Sequence, residues 1–442
     1  MKKVYLETFG CQMNVSDSER ISTTLARDGY EMTADETSAD VVIINTCSVR
    51  ENAEHKLYSR VGRLRKRTAN KMPVVGVMGC VAQLEGETLF NKIEGVNFVL
   101  GTRAVGRVST AIEETFRTGK TILDVGERED DYDWTVADTH RHSPYIAFLP
   151  IIEGCNKFCS YCIVPFSRGR ERSFEATELV RQIEELKKKG VREVHLIGQN
   201  VNSYRPETDA GLEKVAGKSH FSKLLHAVAA TGMERIKFAT SFPRDFRTDI
   251  VDAIEEHENL CNWVHLPVQS GSNRVLKLMK RGHTIEKYFA QIDRLKSSSR
   301  DISLSTDIIV GFPGETEKDF QDTVKMVEYC GFDMAYIFKY SPRPGTPAYE
   351  MHDDVSPAEK TLRFMELERT QKYIQDKRLQ RYLNKVLKVL VERRSTRTES
   401  GLTGHSTCHK VVNFVGQGDL AGKIVDVRIT DIKPNSLFGE IH

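Results

Sequence analysis

The stretch Tyr145-Ile146-Ala147-Phe148-Leu149-Pro150-Ile151-Ile152-Glu153-Gly154-Cys155-Asn156-Lys157-Phe158-Cys159-Ser160-Tyr161-Cys162 carries two signals. Its first half is a short apolar run of the kind buried in a parallel sheet. Its second half spaces three cysteines as C-x3-C-x2-C. A four-iron cubane normally takes one thiolate per iron. Three thiolates on one tight loop therefore leave one iron open to a ligand from outside the protein. The alternatives are a zinc site or three packed cysteines. Structural zinc takes four ligands, and no further Cys or His stands close by; His140 and His142 lie on the other side of the predicted strand. Simple packing fits poorly with Gly154 in the loop and with Pro165, Arg168, Arg170 and Arg172 just after it.

Downstream, strand-like runs recur at Glu193–Ile197, Ile236–Ala239, Trp263–Leu266, Ile302–Val310 and Met334–Phe338, with helices between them. Together with Tyr145–Ile152 they predict an incomplete (βα)6 barrel. The chemistry of a βα barrel sits at the carboxyl ends of its strands. Polar residues gather at those ends: Gln199 and Asn200, Thr240 and Ser241, Gln269 and Ser270, Asp307, and Tyr340 with Arg343. The cysteine loop follows the first strand and opens on the same face. Gly311-Phe312-Pro313-Gly314-Glu315-Thr316 is turn chemistry after a strand, with a backbone approach to a ligand as the other reading. Ser270 or Ser272 also suits a cap for the helix that follows.

The N-terminal third alternates strands and helices, which predicts a parallel α/β sheet. The strands are Val4–Phe9, Val41–Ile44, Pro73–Met78 and Phe98–Leu100; helices are expected from Ser16 to Asp28, with Ser16 as cap, and from Glu51 to Asn70. Cys11, Cys47 and Cys80 each lie just past a strand end. Parallel strands point their carboxyl ends to one edge, where ligands bind, so three distant cysteines converge as a second triad, or else pack as small hydrophobic residues. Cys261, Cys330 and Cys408 have no partners at ligand spacing and read as packing residues.

Gly126 to His142 is polar and mostly acidic, a linker or crossing between domains. Pro357 to about Leu383 reads as one long helix. Val386–Glu392, Lys410–Phe414, Gly422–Thr430 and Leu437–Ile441 then alternate with turns, as in a small antiparallel, OB-like β-barrel. Lys385, Lys388, Arg393, Arg394, Arg397, His405, His409 and Lys410 make its first half basic. That half is either an RNA face or a solvated surface. A stronger patch runs from Lys56 to Lys71 with no acid, including Arg60, Arg63, Arg65, Lys66 and Arg67, and suits phosphate contact.

The 442 residues suffice for about three domains. Lys and Arg number 64 against 62 Asp and Glu, a net charge of +2. Nucleic-acid contact must therefore come from local patches. Nine scattered cysteines suit metal ligation in a reducing cytoplasm rather than a disulfide scaffold. No signal peptide or membrane-length apolar stretch is visible, so a cytoplasmic location without membrane contact is expected.

These residues together resemble the methylthiotransferase family of radical S-adenosylmethionine (SAM) enzymes. The resemblance covers nearly the whole chain. It implies an N-terminal methylthiotransferase domain over 1–125, a radical SAM core over 141–374 and a TRAM domain over 377–442. Thr8-Phe9-Gly10-Cys11-Gln12-Met13-Asn14, Asn45-Thr46-Cys47-Ser48-Val49-Arg50 and Gly198-Gln199-Asn200-Val201-Asn202 match the branch acting on isopentenyladenosine at position 37 of tRNA. Sister branches act on threonylcarbamoyladenosine in tRNA or on an aspartate of a ribosomal protein. A non-catalytic Fe–S protein that binds RNA is the reading from another class. Phe242 stands where many members carry His.

The resemblance implies two 4Fe–4S clusters, an auxiliary one on Cys11, Cys47 and Cys80 and one on Cys155, Cys159 and Cys162. It also implies two SAM per turnover: one cleaved to a radical that takes hydrogen from C2 of the adenine, one methylating the sulfur that is transferred. No catalytic side chain beyond the cluster ligands is assigned. Candidates for SAM binding are Gln199, Asn200, Ser241, Gln269, Ser270 and Asp307; those for RNA are Arg60, Arg63, Arg65, Lys66, Arg67, Arg393 and Arg394. Expected partners are the tRNA, a reductant such as flavodoxin or ferredoxin, and Fe–S and sulfur delivery proteins. The chain is expected to act as a monomer.

Overall fold

A computed structural model describes residues 1–48, 51–67, 72–126, 136, 140–394 and 401–442. The chain divides into two compact units. One comprises Met1–His142, Phe148–Asn156 and Cys162–Glu171; the other comprises Ser143–Ala147, Lys157–Tyr161 and Arg172–His442.

The first unit holds a parallel sheet of β1 (Lys3–Phe9), β2 (Glu31–Met32), β3 (Val41–Thr46), β4 (Val74–Gly79), β5 (Phe98–Leu100) and β6 (Ile122–Asp124), in the order β2-β1-β3-β4-β5-β6. Both faces are covered. Along β3, Val41 and Ile43 join one apolar cluster while Val42 and Ile44 join the other, because successive strand side chains point to opposite faces. That is why the run reads as continuously apolar. Two expectations change. The helix after β1, α1, spans Gln12–Arg27, with Cys11 rather than Ser16 at its N-cap. Extended backbone at Cys11 and the bond from Val15 N to Cys11 O, 3.1 Å, start the helix there. The sheet also gains the short strands β2 and β6, too brief to show a pattern in sequence. Helix α2 spans Glu51–Arg67. The acidic linker at 127–135 and 137–139, Val49 and Arg50, and the end of the basic run at 68–71 lie outside the described residues.

In the second unit, strands Ile146–Pro150 (by its first residues), Glu193–Ile197, Arg235–Phe238, Trp263–His265, Ser303–Val310 and Met334–Lys339 lie side by side in chain order. They form two three-stranded sheets joined by a parallel bridge between Ile236 and Leu260. The pairs are parallel and the run of strands does not close, as the incomplete barrel requires. Helix Pro357–Leu379 leads to five strands, Val386–Arg394, Gly401–Ser406, Val411–Val415, Ile424–Lys433 and Ser436–Ile441, which make a closed barrel. Four of its pairs are antiparallel; the third and fifth strands run parallel.

The hairpin between Gly401–Ser406 and Val411–Val415 docks where the larger barrel's strands begin. Arg235 Nη1 donates to the carbonyl of His405 at 2.8 Å, Lys237 Nζ lies 2.6 Å from His409 Nδ1, and the His409 ring lies 4.6 Å from Trp263. Lys410 is buried, 3.7 Å from Asp333. His409 and Lys410 therefore belong to an internal junction, not to the basic face expected of them. Arg397 lies outside the described residues.

Candidate metal centres and strand-end site

Cys11, Cys47 and Cys80 follow β1, β3 and β4, which are neighbours in the sheet. Cys47 stands between the other two, its thiol within reach of both Cys11 and Cys80, so the three residues line one edge of the sheet with Cys47 in the middle. Two buried asparagines hold the frame. Asn14 Nδ2 donates to Asn45 Oδ1 at 3.2 Å, Asn45 Nδ2 donates back to the Asn14 carbonyl at 2.9 Å, and Cys11 Sγ lies 3.3 Å from Asn14 Oδ1. Gly79 has φ +91, and a Cβ there would collide with Asn45 Oδ1 and lie 2.7 Å from the Thr46 carbonyl; only glycine lets β4 turn into Cys80 this close.

Arg168 completes this centre. It is buried and donates to Asp17 Oδ2 at 2.6 Å. The hydrogen bond from Cys47 lowers the thiol of exposed Cys11 to about 7 and that of Cys80, against its burial, to about 6, both with help from Arg168. Cys47 is pushed up because it shares its proton with both neighbours. A thiolate is the metal-binding form, so this donor set suits iron.

Cys155 and Cys162 fall in the first unit and Cys159 in the second. Gly154, φ +76, precedes the loop, and a Cβ there would strike the Arg170 carbonyl. Cys155 N donates to the Gly169 carbonyl at 3.1 Å. On the second unit, Ser160 N donates to the Met279 carbonyl at 3.0 Å and Ser160 Oγ to that of Leu278 at 2.8 Å. Lys157 Nζ lies 2.7 Å from Asp245 Oδ2.

The strand ends of the barrel adjoin one another. Val201 N bonds the Thr240 carbonyl at 3.0 Å, Ser241 N that of His265 at 3.2 Å, and Gln269 N that of Asp307 at 2.9 Å. Gln199, Asn200, Ser241, Gln269 and Asp307 are thus collected in one arc. Gln199 Oε1 and Ser241 Oγ are buried without a hydrogen-bond partner. Thr240 and Gln269 have φ of +69 and +78, a strained state that clusters at ligand sites. Asp307 Oδ2 lies 3.5 Å from His265 Nε2. Ser270 is different: it is fully buried, with its hydroxyl 3.4 Å from Thr323 Oγ1 and accepting from Ser272 N at 3.2 Å. Its hydroxyl is used within the turn. Ser272 caps helix Asn273–Leu278, and Thr316 caps Glu317–Cys330 with Asp319 in a capping box.

Of the basic candidates, Arg63 is exposed, and exposed Arg65 lies 2.8 Å from Glu94. Arg60 is a correction: it is buried, ion-paired with Glu7 and, at 2.8 Å, with Glu36, so its charge is used inside the first unit. The side chains of Lys66 and Arg67 lie outside the described ones. Arg393 and Arg394 are exposed, and Arg393 borders a groove on the small barrel lined with Phe414, Val415, Phe438 and Ile441. Cys261, Cys330 and Cys408 are buried, and burial raises Cys261 to about 11 and Cys330 to about 12, as in inert packing thiols. Sequence reasoning noted Arg168 only as a basic residue and missed Arg281, whose Nη1 lies 3.6 Å from Cys159 Sγ. No local pattern announces either contact.

Comparison with known proteins follows the same division. Residues 149–327 match the Radical SAM superfamily, 380–442 the TRAM domain, and 3–101 the Uncharacterized protein family UPF0004. A radical SAM methyltransferase, TsrM, from Kitasatospora setae shares the fold at TM-score 0.56 and 15% identity, over 79% of this chain and 75% of that one. The protein is of the radical SAM class. Curated relatives are more specific. The tRNA-2-methylthio-N(6)-dimethylallyladenosine synthase of Solibacter usitatus is 41% identical over 99% of this chain and 98% of the relative; that of Clostridium tetani is 41% identical over 99% and 95%. The chain belongs to the family of tRNA-2-methylthio-N(6)-dimethylallyladenosine synthases.

Proposed function

We propose that this chain adds a methylthio group to C2 of N6-isopentenyladenosine at position 37 of tRNA, using two SAM per turnover. The observation that carries the reading is the convergence of Cys11, Cys47 and Cys80 at adjacent strand ends in a protein that also carries the Cys155, Cys159, Cys162 loop. When bound, a 4Fe–4S cluster on the loop supplies the electron for SAM cleavage and a second on the convergent triad supplies the sulfur. The chain's own residues hold and orient. Gln199, Asn200, Ser241, Gln269 and Asp307 line the SAM-facing arc, with buried Gln199 Oε1 and Ser241 Oγ poised for hydrogen bonds. Arg63 and Arg65, with Lys66 and Arg67, Arg393 at the groove of the small barrel, and exposed Arg394 contact the RNA backbone. The adenine leaves its stack to reach the site, as enzymes acting on bases require.

In this reading residues 1–125 carry the sulfur centre, 141–374 the SAM chemistry and 377–442 the RNA contact. A flavodoxin or ferredoxin reduces the clusters, Fe–S and sulfur delivery proteins load them, and the chain works as a monomer in the cytoplasm. Among the described residues no helix is long and apolar enough to cross a membrane.

The test is mass spectrometry of nucleosides from tRNA bearing isopentenyladenosine, after anaerobic incubation with reconstituted protein, SAM and reductant. The expected result is 2-methylthio-N6-isopentenyladenosine. SAM cleavage without that product on this tRNA, but with it on threonylcarbamoyladenosine tRNA, overturns the substrate assignment.

A further inference from the structure

Arg281 is 5% exposed. Its Nη1 points at Cys159 Sγ, 3.6 Å away, and its Nη2 donates to the Pro267 carbonyl at 2.5 Å. The guanidinium carbon lies 4.3 Å from the centroid of the Phe242 ring. The same ring is approached by Lys157 Nζ at 5.7 Å and by Arg244 at 5.4 Å. Phe242 is itself clamped: Asn202 Nδ2 donates to its carbonyl at 2.9 Å, and its N–H donates to Asn202 Oδ1 at 2.7 Å. The Leu278–Arg281 segment thus acts twice on the loop. Its carbonyls anchor Ser160, and its terminal cation reaches the sulfur of the preceding residue.

The physical consequence follows from charge. Reduction adds an electron to the iron–sulfur unit, and a cation hydrogen-bonded to a ligand sulfur stabilises the more negative state. The Phe242 face offers negative quadrupole density that attracts the guanidinium, while an aromatic hydrocarbon cannot accept its N–H in a competing conventional hydrogen bond. The platform therefore holds the cation and leaves Nη1 for Cys159.

We propose that Arg281, stacked on Phe242, is a positioning residue that raises the reduction potential of the cluster held by Cys155, Cys159 and Cys162. The proposal rests on the reading that this triad holds that cluster. The interaction makes electron entry easier before SAM is cleaved, and it assigns Phe242 a role that a merely apolar side chain lacks.

The test is a redox titration of reconstituted full-length protein, followed through the electron paramagnetic resonance signal that changes when SAM is added. Variants are Arg281→Met, Arg281→Lys and Phe242→Leu. Arg281→Met should move the midpoint to more negative potential, so that the reduced fraction at a fixed low poise falls several-fold. Phe242→Leu should move it in the same direction by less, and Arg281→Lys should restore part of the loss. Should Arg281→Met fail to fold, Phe242→Leu, which keeps an apolar side chain, decides the matter. An unchanged midpoint with the SAM-responsive signal intact overturns the proposal alone. Absence of any SAM-responsive signal in the unsubstituted protein overturns the reading beneath it as well.

Discussion

The two cysteine triads are built in opposite ways. Cys155, Cys159 and Cys162 are neighbours along the chain, and their separation is set by a loop. Cys11, Cys47 and Cys80 meet only because β1, β3 and β4 are parallel and adjacent. The loop triad is written in a motif; the assembled triad is written in a sheet. Each has a buried arginine beside it, but from different sources. Arg168 reaches the assembled triad from the segment just after Cys162 and is paired with Asp17. Arg281 reaches Cys159 from a distant helix end and is stacked on Phe242.

The largest expected effect separates the triads by activity. Cys47→Ala should abolish methylthio transfer and leave SAM cleavage in place, whereas Cys159→Ala should abolish both. Product and 5′-deoxyadenosine assays on the same samples read this, and equal loss in the two variants breaks the division. Next is the assembled frame. Arg168→Met leaves Asp17 buried without its partner and should cost roughly 3–5 kcal/mol in the first unit, seen in denaturant unfolding, with loss of about half the bound iron. Gly79→Ala forces a Cβ into Asn45 and Thr46 at positive φ and should cost ~3 kcal/mol; full iron loading in that variant would show that the frame tolerates slack.

A third test uses pH, because the units answer in opposite senses. In the first unit, burial raises Glu19 to about 6, against the His142 N–H and Arg141. Its protonated form is favoured on folding, so that stability is present below about 4.5 and is lost as pH rises toward about 6, up to about 2 kcal/mol. In the second unit, burial would raise Glu193, but Arg235 and His195 outweigh it and its carboxyl is lowered. Its contribution is present above the ordinary carboxylate range and is lost as pH falls through its depressed value. Thermal melts between about pH 2 and 7.5 should show Glu19→Gln gaining stability near neutrality and Glu193→Gln flattening the limb below about pH 4.5; a flat response in both would refute the assignment. The smallest effect is Ser272→Ala, which removes an N-cap and should lower stability by ~1 kcal/mol without changing either iron content or SAM cleavage.

Much of the strand placement in each unit is legible in the sequence because runs such as Val41–Ile44 and Glu193–Ile197 are apolar or alternate with helices; the order β2-β1-β3-β4-β5-β6 is not. The start of α1 was not, since Ser16 looks like a cap and Cys11 does not; the choice was made by Cys11 sitting where the chain leaves β1. Charges were the least legible. Arg60, His409 and Lys410 read as surface residues from composition, yet each is consumed by a partner from elsewhere: Glu7 and Glu36, Lys237 and Trp263, and Asp333. Whether a basic side chain faces water depends on what packs over it, and that information is absent from its neighbours in sequence.

The sequence by itself determined the loop spacing of Cys155, Cys159 and Cys162 and the apolar runs whose ends carry Cys11, Cys47, Cys80, Gln199, Asn200, Ser241, Gln269 and Asp307, because spacing and apolar runs along a chain are local properties. Only the tertiary structure decided that Cys47 stands between Cys11 and Cys80, that Ser270 belongs to a turn, and that Arg168 and Arg281 each reach a cysteine sulfur. Those contacts join residues far apart in sequence, and their geometry is fixed by packing, which no motif encodes.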